Sequence, residues 1–161
     1  HYIDDKYVSM FEKFKVYTRA EIASRMDILL ENYSKVINIE ALTMLDMAKK
    51  SILPAAIEYT KEICDTVASM KAVGVDASLE VSMANKLSAL TVSLSSAIET
   101  LDSKRIASKD YEDDVLKTAR YYRDEIFAAM QSLRAVADEL EMCVPEKYWP
   151  FPTYTDLLFT V

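Results

Sequence analysis

The side chains that most often do chemistry are scarce in this chain. Histidine occurs once, as His1, cysteine twice, as Cys64 and Cys143, and glycine once, as Gly74. A diiron or dimanganese bundle takes Glu-x-x-His pairs from facing helices, and a structural zinc takes four Cys or His ligands. One terminal histidine and two separated cysteines supply neither. A nucleophile activated by an imidazole has no internal imidazole to draw on. A loop that cradles phosphate needs several glycines. Carboxylate pairs occur, but at 28% charged residues they arise by chance and read as solvated faces. The inventory predicts no catalytic residue, no cofactor-binding residue and no metal ligand. The cysteines read as small buried hydrophobes with free thiols in a reduced compartment.

Two clusters could instead hold a partner. Arg120-Tyr121-Tyr122-Arg123-Asp124 puts two arginines three residues apart beside two tyrosines, an anion or partner clamp. Its plain alternative is an Arg120–Asp124 pair at i,i+4 with Tyr122 in the core. The second cluster is Tyr148, Trp149, Phe151, Tyr154 and Phe159 near the C-terminus. These aromatics form either a docking strip for another subunit or a staple for the protein's own ends. Candidate subunit-interaction residues are therefore Arg120, Tyr121, Arg123, Tyr148, Trp149, Phe151 and Tyr154.

Charge narrows the partners. The net charge is −7, from 26 acidic against 19 basic residues. Phosphate backbones and anionic lipid surfaces both select for Lys and Arg, so neither nucleic acid nor a membrane surface is expected. No run approaches the roughly 18 uncharged apolar residues of a membrane span, and no signal peptide is apparent. A cytoplasmic location is expected.

The elements that position these clusters must be helices. One glycine and four prolines in 161 residues cannot furnish the turns of a β-rich fold. Residues 1–16 read as a short amphipathic helix. Thr18-Arg19-Ala20-Glu21 is a capping box, and behind it apolar residues recur every three or four positions from Ile22 through Leu29, Tyr33, Ile37, Ala41, Ala48, Ile52, Ile63 and Met70. This predicts one long helix over 18–73, stopped at Gly74 and kinked or broken at Pro54. Around Val36–Met47 the apolar arc widens to include Ile39 and Leu42, which predicts cover on more than one side.

Asp76 is placed to cap a second long helix, 77–103, with the stripe Leu79, Met83, Leu87, Leu90, Leu94, Ile98 and Leu101. Asp110 is placed to cap a third, 110–143, with Val115, Ala119, Tyr122, Ile126, Met130, Leu133, Ala137 and Leu140 inward. Glu112, Asp113 and Asp114 would crowd its first turn, at the positive end of the dipole. Short links between long helices predict an all-α antiparallel up-down bundle of three long helices, the short N-terminal helix and an extended aromatic tail over 145–161, all in one domain.

Four blocks also carry a family resemblance. They are Ile37-Asn38-Ile39-Glu40-Ala41 with Met44, Met47-Ala48-Lys49 and Ile52-Leu53-Pro54-Ala55; Ala119-Arg120-Tyr121-Tyr122-Arg123-Asp124; Met130 to Glu141; and Tyr148-Trp149-Pro150-Phe151-Pro152-Thr153-Tyr154. In this order they resemble the C-terminal region of type III glutamine synthetases, and the match is weakest over Ala77–Ser103. The resemblance implies a much longer parent enzyme that condenses glutamate with ammonia at the expense of ATP. Its nucleotide and magnesium sites would lie in a preceding catalytic domain, so no catalytic residue carries over to this numbering. It further implies a homo-oligomeric double ring of twelve subunits, with other domains and subunits of the parent as partners. A free-standing helical adaptor or scaffold is the alternative.

Overall fold

The computed structural model describes residues 3–111, 113–152 and 154–159, with only the backbone described for Tyr154 and Thr155. The described residues form helices and the turns that join them, and no strand occurs among them. Helix α1 (Asp5–Lys13) buries Val8. It ends in a Schellman turn, where the Val16 amide reaches the Phe11 carbonyl and the Lys15 amide the Glu12 carbonyl. Lys15 occupies the left-handed position of that turn at φ 54°.

The capping box forms as expected. The Thr18 amide donates to the Glu21 carboxylate at 2.7 Å and the Glu21 amide to the Thr18 hydroxyl at 3.3 Å. Behind it run α2 (Arg19–Met47), a π turn (Ala48–Ile52) and α3 (Leu53–Ala72) as one continuous rod. At 1.5 Å per residue this rod is about 80 Å long. Pro54 therefore does not break the helix. Having no amide hydrogen, it cannot satisfy the carbonyl four residues back, and the chain loosens to i→i+5 bonding just before it, with the Leu53 amide donating to Ala48. The π turn also suits the core: Ala48, Ile52 and Ala56 are spaced by four, and a wider turn keeps them on one line.

Gly74 stops the rod at φ 76°, with the Val75 amide on the Met70 carbonyl and the Gly74 amide on that of Lys71, a second Schellman turn. Helix α4 spans Ser78–Ala107, four residues past its expected end, and leads into a 3-10 turn, Ser108–Tyr111. Its N-cap is Ala77; the Asp76 carboxylate still accepts from the Ser78 amide at 3.1 Å. The stretch between the two expected helices, 104–109, is thus helical.

The third rod begins at Val115, five residues later than expected. Asp114, not Asp110, caps it, accepting from the Lys117 amide at 3.0 Å. Asp110 is consumed by the 3-10 turn, and no acid lies in the first turn of α5 (Val115–Tyr121). Glu112 lies outside the described residues. A second π turn, Tyr122–Ile126, joins α5 to α6 (Phe127–Glu141).

Helix α4 packs against both α3 and α6, and α2 packs on α5. Leu87, Leu94 and Leu101, seven residues apart on α4, anchor one continuous core with Ile126, Leu133 and Leu140 from the third rod. Burial of each such side chain contributes about 1.5–3 kcal/mol. The ends of the stripes behave differently. Leu79 and Met83 at the start of α4 are exposed, and so are Leu29 and Tyr33 on α2. These residues lie on segments that extend past the core they were expected to join. After Pro145 the chain makes a hydrogen-bonded turn, with the Tyr148 and Trp149 amides on the Pro145 carbonyl at 2.9 and 3.1 Å. The proline's fixed φ suits that turn, so the start of the tail is not extended. A short α7 (Tyr154–Phe159) closes the described chain.

Candidate interaction surface

The Arg120–Asp124 segment divides between core and solvent along the second π turn. Tyr122 is buried, and its hydroxyl lies 3.2 Å from the buried Ser108 hydroxyl. Ser108 also donates to the Arg105 carbonyl at 2.7 Å, so the pair locks the 3-10 turn onto the third rod. Tyr121 stacks on Tyr111 with ring centroids 4.6 Å apart and donates to the Lys104 carbonyl at 3.1 Å. Burial pushes its phenol above the ordinary value.

Both arginines are exposed. Asp124 pairs with Arg123, through Nε at 2.6 Å and Nη2 at 2.9 Å, rather than with Arg120. The adjacent guanidinium makes two hydrogen bonds to the carboxylate, a bidentate pair. That guanidinium holds the Asp124 carboxyl below its usual range, with a smaller contribution from the charge of Arg120. Arg123 thus shares its charge with Asp124, while both guanidinium groups stay open to solvent.

Three of the tail aromatics are held by the protein itself, and Phe159 is exposed. Tyr148, Trp149 and Phe151 pack against the core. Tyr148 lies 5.5 Å from Tyr59 on α3, and Trp149 meets Phe151 edge-on at 6.3 Å. Lys147 donates to the Tyr148 hydroxyl at 3.0 Å and reaches Glu62 at 3.8 Å. The side chain of Tyr154 lies outside what is described. Contrary to expectation, Cys64 is exposed, because its position on α3 faces away from α4; Cys143 is partly buried.

An exposed apolar surface on α2 was not among the sequence candidates. Ile28, Leu29, Val36, Ile39 and Leu42 are exposed along α2, with Leu29 at 64% and Ile39 at 62%. The widened arc that predicted double cover is bare within this chain. Beside it a groove of about 530 Å³ runs between α2 and α6, floored by Met44, Ile52, Met130 and Leu133 and edged by Ile39 and Phe127. Surfaces of this kind mark protein contacts in soluble proteins. The widening of the arc was the one signal that could have located it.

A second cleft, of about 310 Å³, lies between α2 and α5. Its hydroxyls are committed: Ser34 donates to the Leu30 carbonyl, Ser108 to that of Arg105, and Thr118 to that of Tyr111. Among the described residues no three His, Cys, Asp or Glu side chains converge to hold a metal ion, and no helix is long and apolar enough to cross a membrane. The arrangement offers packing surfaces.

Comparison with known proteins gives this surface its context. Residues 1–71 match the family model for the glutamine synthetase C-terminal domain. Glutamine synthetase of Butyrivibrio fibrisolvens is 34% identical over 165 residues, covering 100% of this chain and 23% of that protein. Glutamine synthetase of Bacteroides fragilis is 27% identical, covering 99% of the chain and 23% of the relative. The type-3 glutamine synthetase of Dictyostelium discoideum is 29% identical, covering 96% and 22%. The chain thus spans less than a quarter of the length of the curated relatives it matches, and the resemblance carried by the four sequence blocks is borne out. Residues 1–71 are thus similar to the glutamine synthetase C-terminal domain, and the whole chain is similar to part of these glutamine synthetases.

Proposed function

We propose that this chain is the non-catalytic C-terminal helical domain of a type III glutamine synthetase, and that it organises the enzyme's subunits. The observation that carries the reading is the alignment of the whole chain with 23% of a glutamine synthetase. The chain brings to that enzyme a packed helical core and a bare apolar face. The parent would be cytoplasmic and would join glutamate to ammonia using ATP and magnesium bound in its catalytic domain. This domain's partners would be that catalytic domain and neighbouring subunits of a twelve-membered double ring.

Within this reading residues 1–161 form one domain, an antiparallel up-down bundle. Its register is supported by ion pairs: Lys86 with Glu139 at 3.5 Å and Lys104 with Glu125 at 2.7 Å run in opposite order along α4 and the third rod. Arg120, Tyr121, Arg123, Tyr148, Trp149, Phe151 and Tyr154 remain the proposed contact residues from the sequence, and the α2 face joins them. The test is deletion of this domain from the full-length enzyme, followed by light scattering and assay of glutamine formation. The expected result is a smaller particle with reduced activity. Intact rings with full activity would refute the role.

A further inference from the structure

Helix α1 is amphipathic, and this chain covers only part of its apolar side. Val8 is buried and Phe11 half-buried where α1 packs on α2. Tyr7, Met10 and Phe14, at i, i+3 and i+7, share another face and are exposed, Met10 at 45% and Phe14 at 69%. Ile3, four residues ahead of Tyr7, is exposed as well. The helix itself is fixed at both ends to the start of α2: the Arg19 guanidinium pairs with Asp5, and the Arg19 amide donates to the Glu12 carboxylate at 3.1 Å. The bare stripe is therefore held in one place on the surface. Lys6 and Lys13, seven residues apart along one edge of it, are exposed too.

We propose that the catalytic domain preceding residue 1 in the parent enzyme packs on the Tyr7–Met10–Phe14 stripe of its own C-terminal domain. This deepens the reading above and rests on it. The chain aligns with only 23% of its Butyrivibrio relative, and residues 1–71 match the model of a C-terminal domain, so on that reading most of the parent enters at α1. Area decides between this occupant and a second copy of the chain. The exposed parts of Ile3, Tyr7, Met10 and Phe14 come to about 400 Å². A stable complex between separate molecules takes about 800 Å² from each partner. A domain on the same polypeptide meets the stripe at an effective concentration in the millimolar range, where a contact half that size suffices. The receiving surface is apolar, with acidic groups along the edge that faces Lys6 and Lys13.

Oxidation of Met10 by dilute hydrogen peroxide, followed by peptide mass spectrometry, reads the contact directly. Sulfoxide formation follows exposure, so Met10 should oxidise about 10-fold more slowly in the full-length enzyme than in the 161-residue chain. Phe14→Asp puts a charge into the apolar contact and should return the full-length rate toward that of the chain. Phe14 faces solvent in the chain alone, so the fold tolerates the change, and circular dichroism verifies unchanged helix content. Cross-linking from Lys6 and Lys13, in enzyme assembled from light- and heavy-isotope subunits, identifies the occupant. Bridges to the catalytic domain should join peptides of like isotope only. Bridges of mixed isotope put a neighbouring subunit on the stripe and overturn the proposal, as does equal oxidation of Met10 in the two proteins. The ring-deletion result is read separately. An open Met10 in an enzyme whose rings fall apart on deletion removes this contact alone, and a covered Met10 in an enzyme whose rings survive deletion removes the assembly role alone.

Discussion

The Lys49 ammonium lies 2.8 Å from the Asp102 carboxylate, joining the first π turn to α4 across 53 residues of sequence. Arg105 donates to the other oxygen of the same carboxylate at 2.9 Å. Asp102 therefore ties together the point where the long rod changes its helical pitch and the point where α4 nears its end.

These two cations hold the Asp102 carboxyl below its ordinary 3.8, Lys49 contributing most. A depressed folded-state value means that the unfolded chain takes up the proton first. The stabilisation is complete above the ordinary value and is lost as pH falls below 3.8 through the folded value. The site is partly open, so the pair is worth about 1 kcal/mol. Asp102→Asn should lower stability by about that amount at neutral pH, with the difference shrinking below the ordinary carboxyl range. Urea unfolding at pH 7 and in acid checks both the size and the sign.

Gly74 and Lys15 occupy the same left-handed position in two Schellman turns, at φ 76° and 54°. A Cβ at Gly74 would meet nothing within 4 Å, so the cost of Gly74→Ala is purely conformational, about 1–2 kcal/mol. Lys15→Gly should move stability the other way, by up to about 1 kcal/mol, since it removes the same strain. Thermal unfolding of the two variants should show shifts of opposite sign.

What could be read from sequence follows from which forces act locally. The Thr18–Glu21 box, the stop at Gly74 and the disturbance before Pro54 depend on a few neighbouring residues, and each lies where its residues imply. The third-rod stripe from Ala119 to Leu140 is buried throughout, because α2 covers α5 and α4 lines the second π turn and α6. The stripe on α2 fails at Leu29 and Tyr33 because periodicity gives a face without saying whether a partner extends that far. The second π turn carries no proline to betray it, and the pairing of Asp124 with the adjacent Arg123 rather than Arg120 is a choice of rotamer that spacing alone does not give. The groove went unseen for a related reason: it is made jointly by α2 and α6, which are far apart in sequence.

That contrast can be measured on two leucines of equal chemistry. Leu94 is 0% exposed at the centre of α4, and Leu29 sits on the bare part of α2. Leu94→Ala removes transfer free energy and leaves a cavity, a loss of about 3–5 kcal/mol. Leu29→Ala should change the stability of the chain by less than about 0.5 kcal/mol. Similar losses at both positions in denaturant titrations would mean that α2 is covered in solution, by a second copy or by its own chain.

The π turn ahead of Pro54 makes a further prediction about backbone energetics. A proline inside a regular helix costs about 3 kcal/mol, through a lost hydrogen bond and a clash with the carbonyl four residues back. Here that carbonyl belongs to Lys50, within the π turn, where the bonding has already shifted to i→i+5. If the widened turn relieves most of the penalty, Pro54→Ala should gain less than about 1 kcal/mol, and the Leu53 amide should keep its bond to Ala48 in a crystal structure of the variant. The turn has a second reason to persist: Ala48 and Ile52 before the proline and Ala56 and Ile63 after it are all buried, so reverting to a regular α-helix would rotate one set out of the core. A gain near 3 kcal/mol with the π turn gone would show instead that the proline alone imposes it, and that the core on either side adapts.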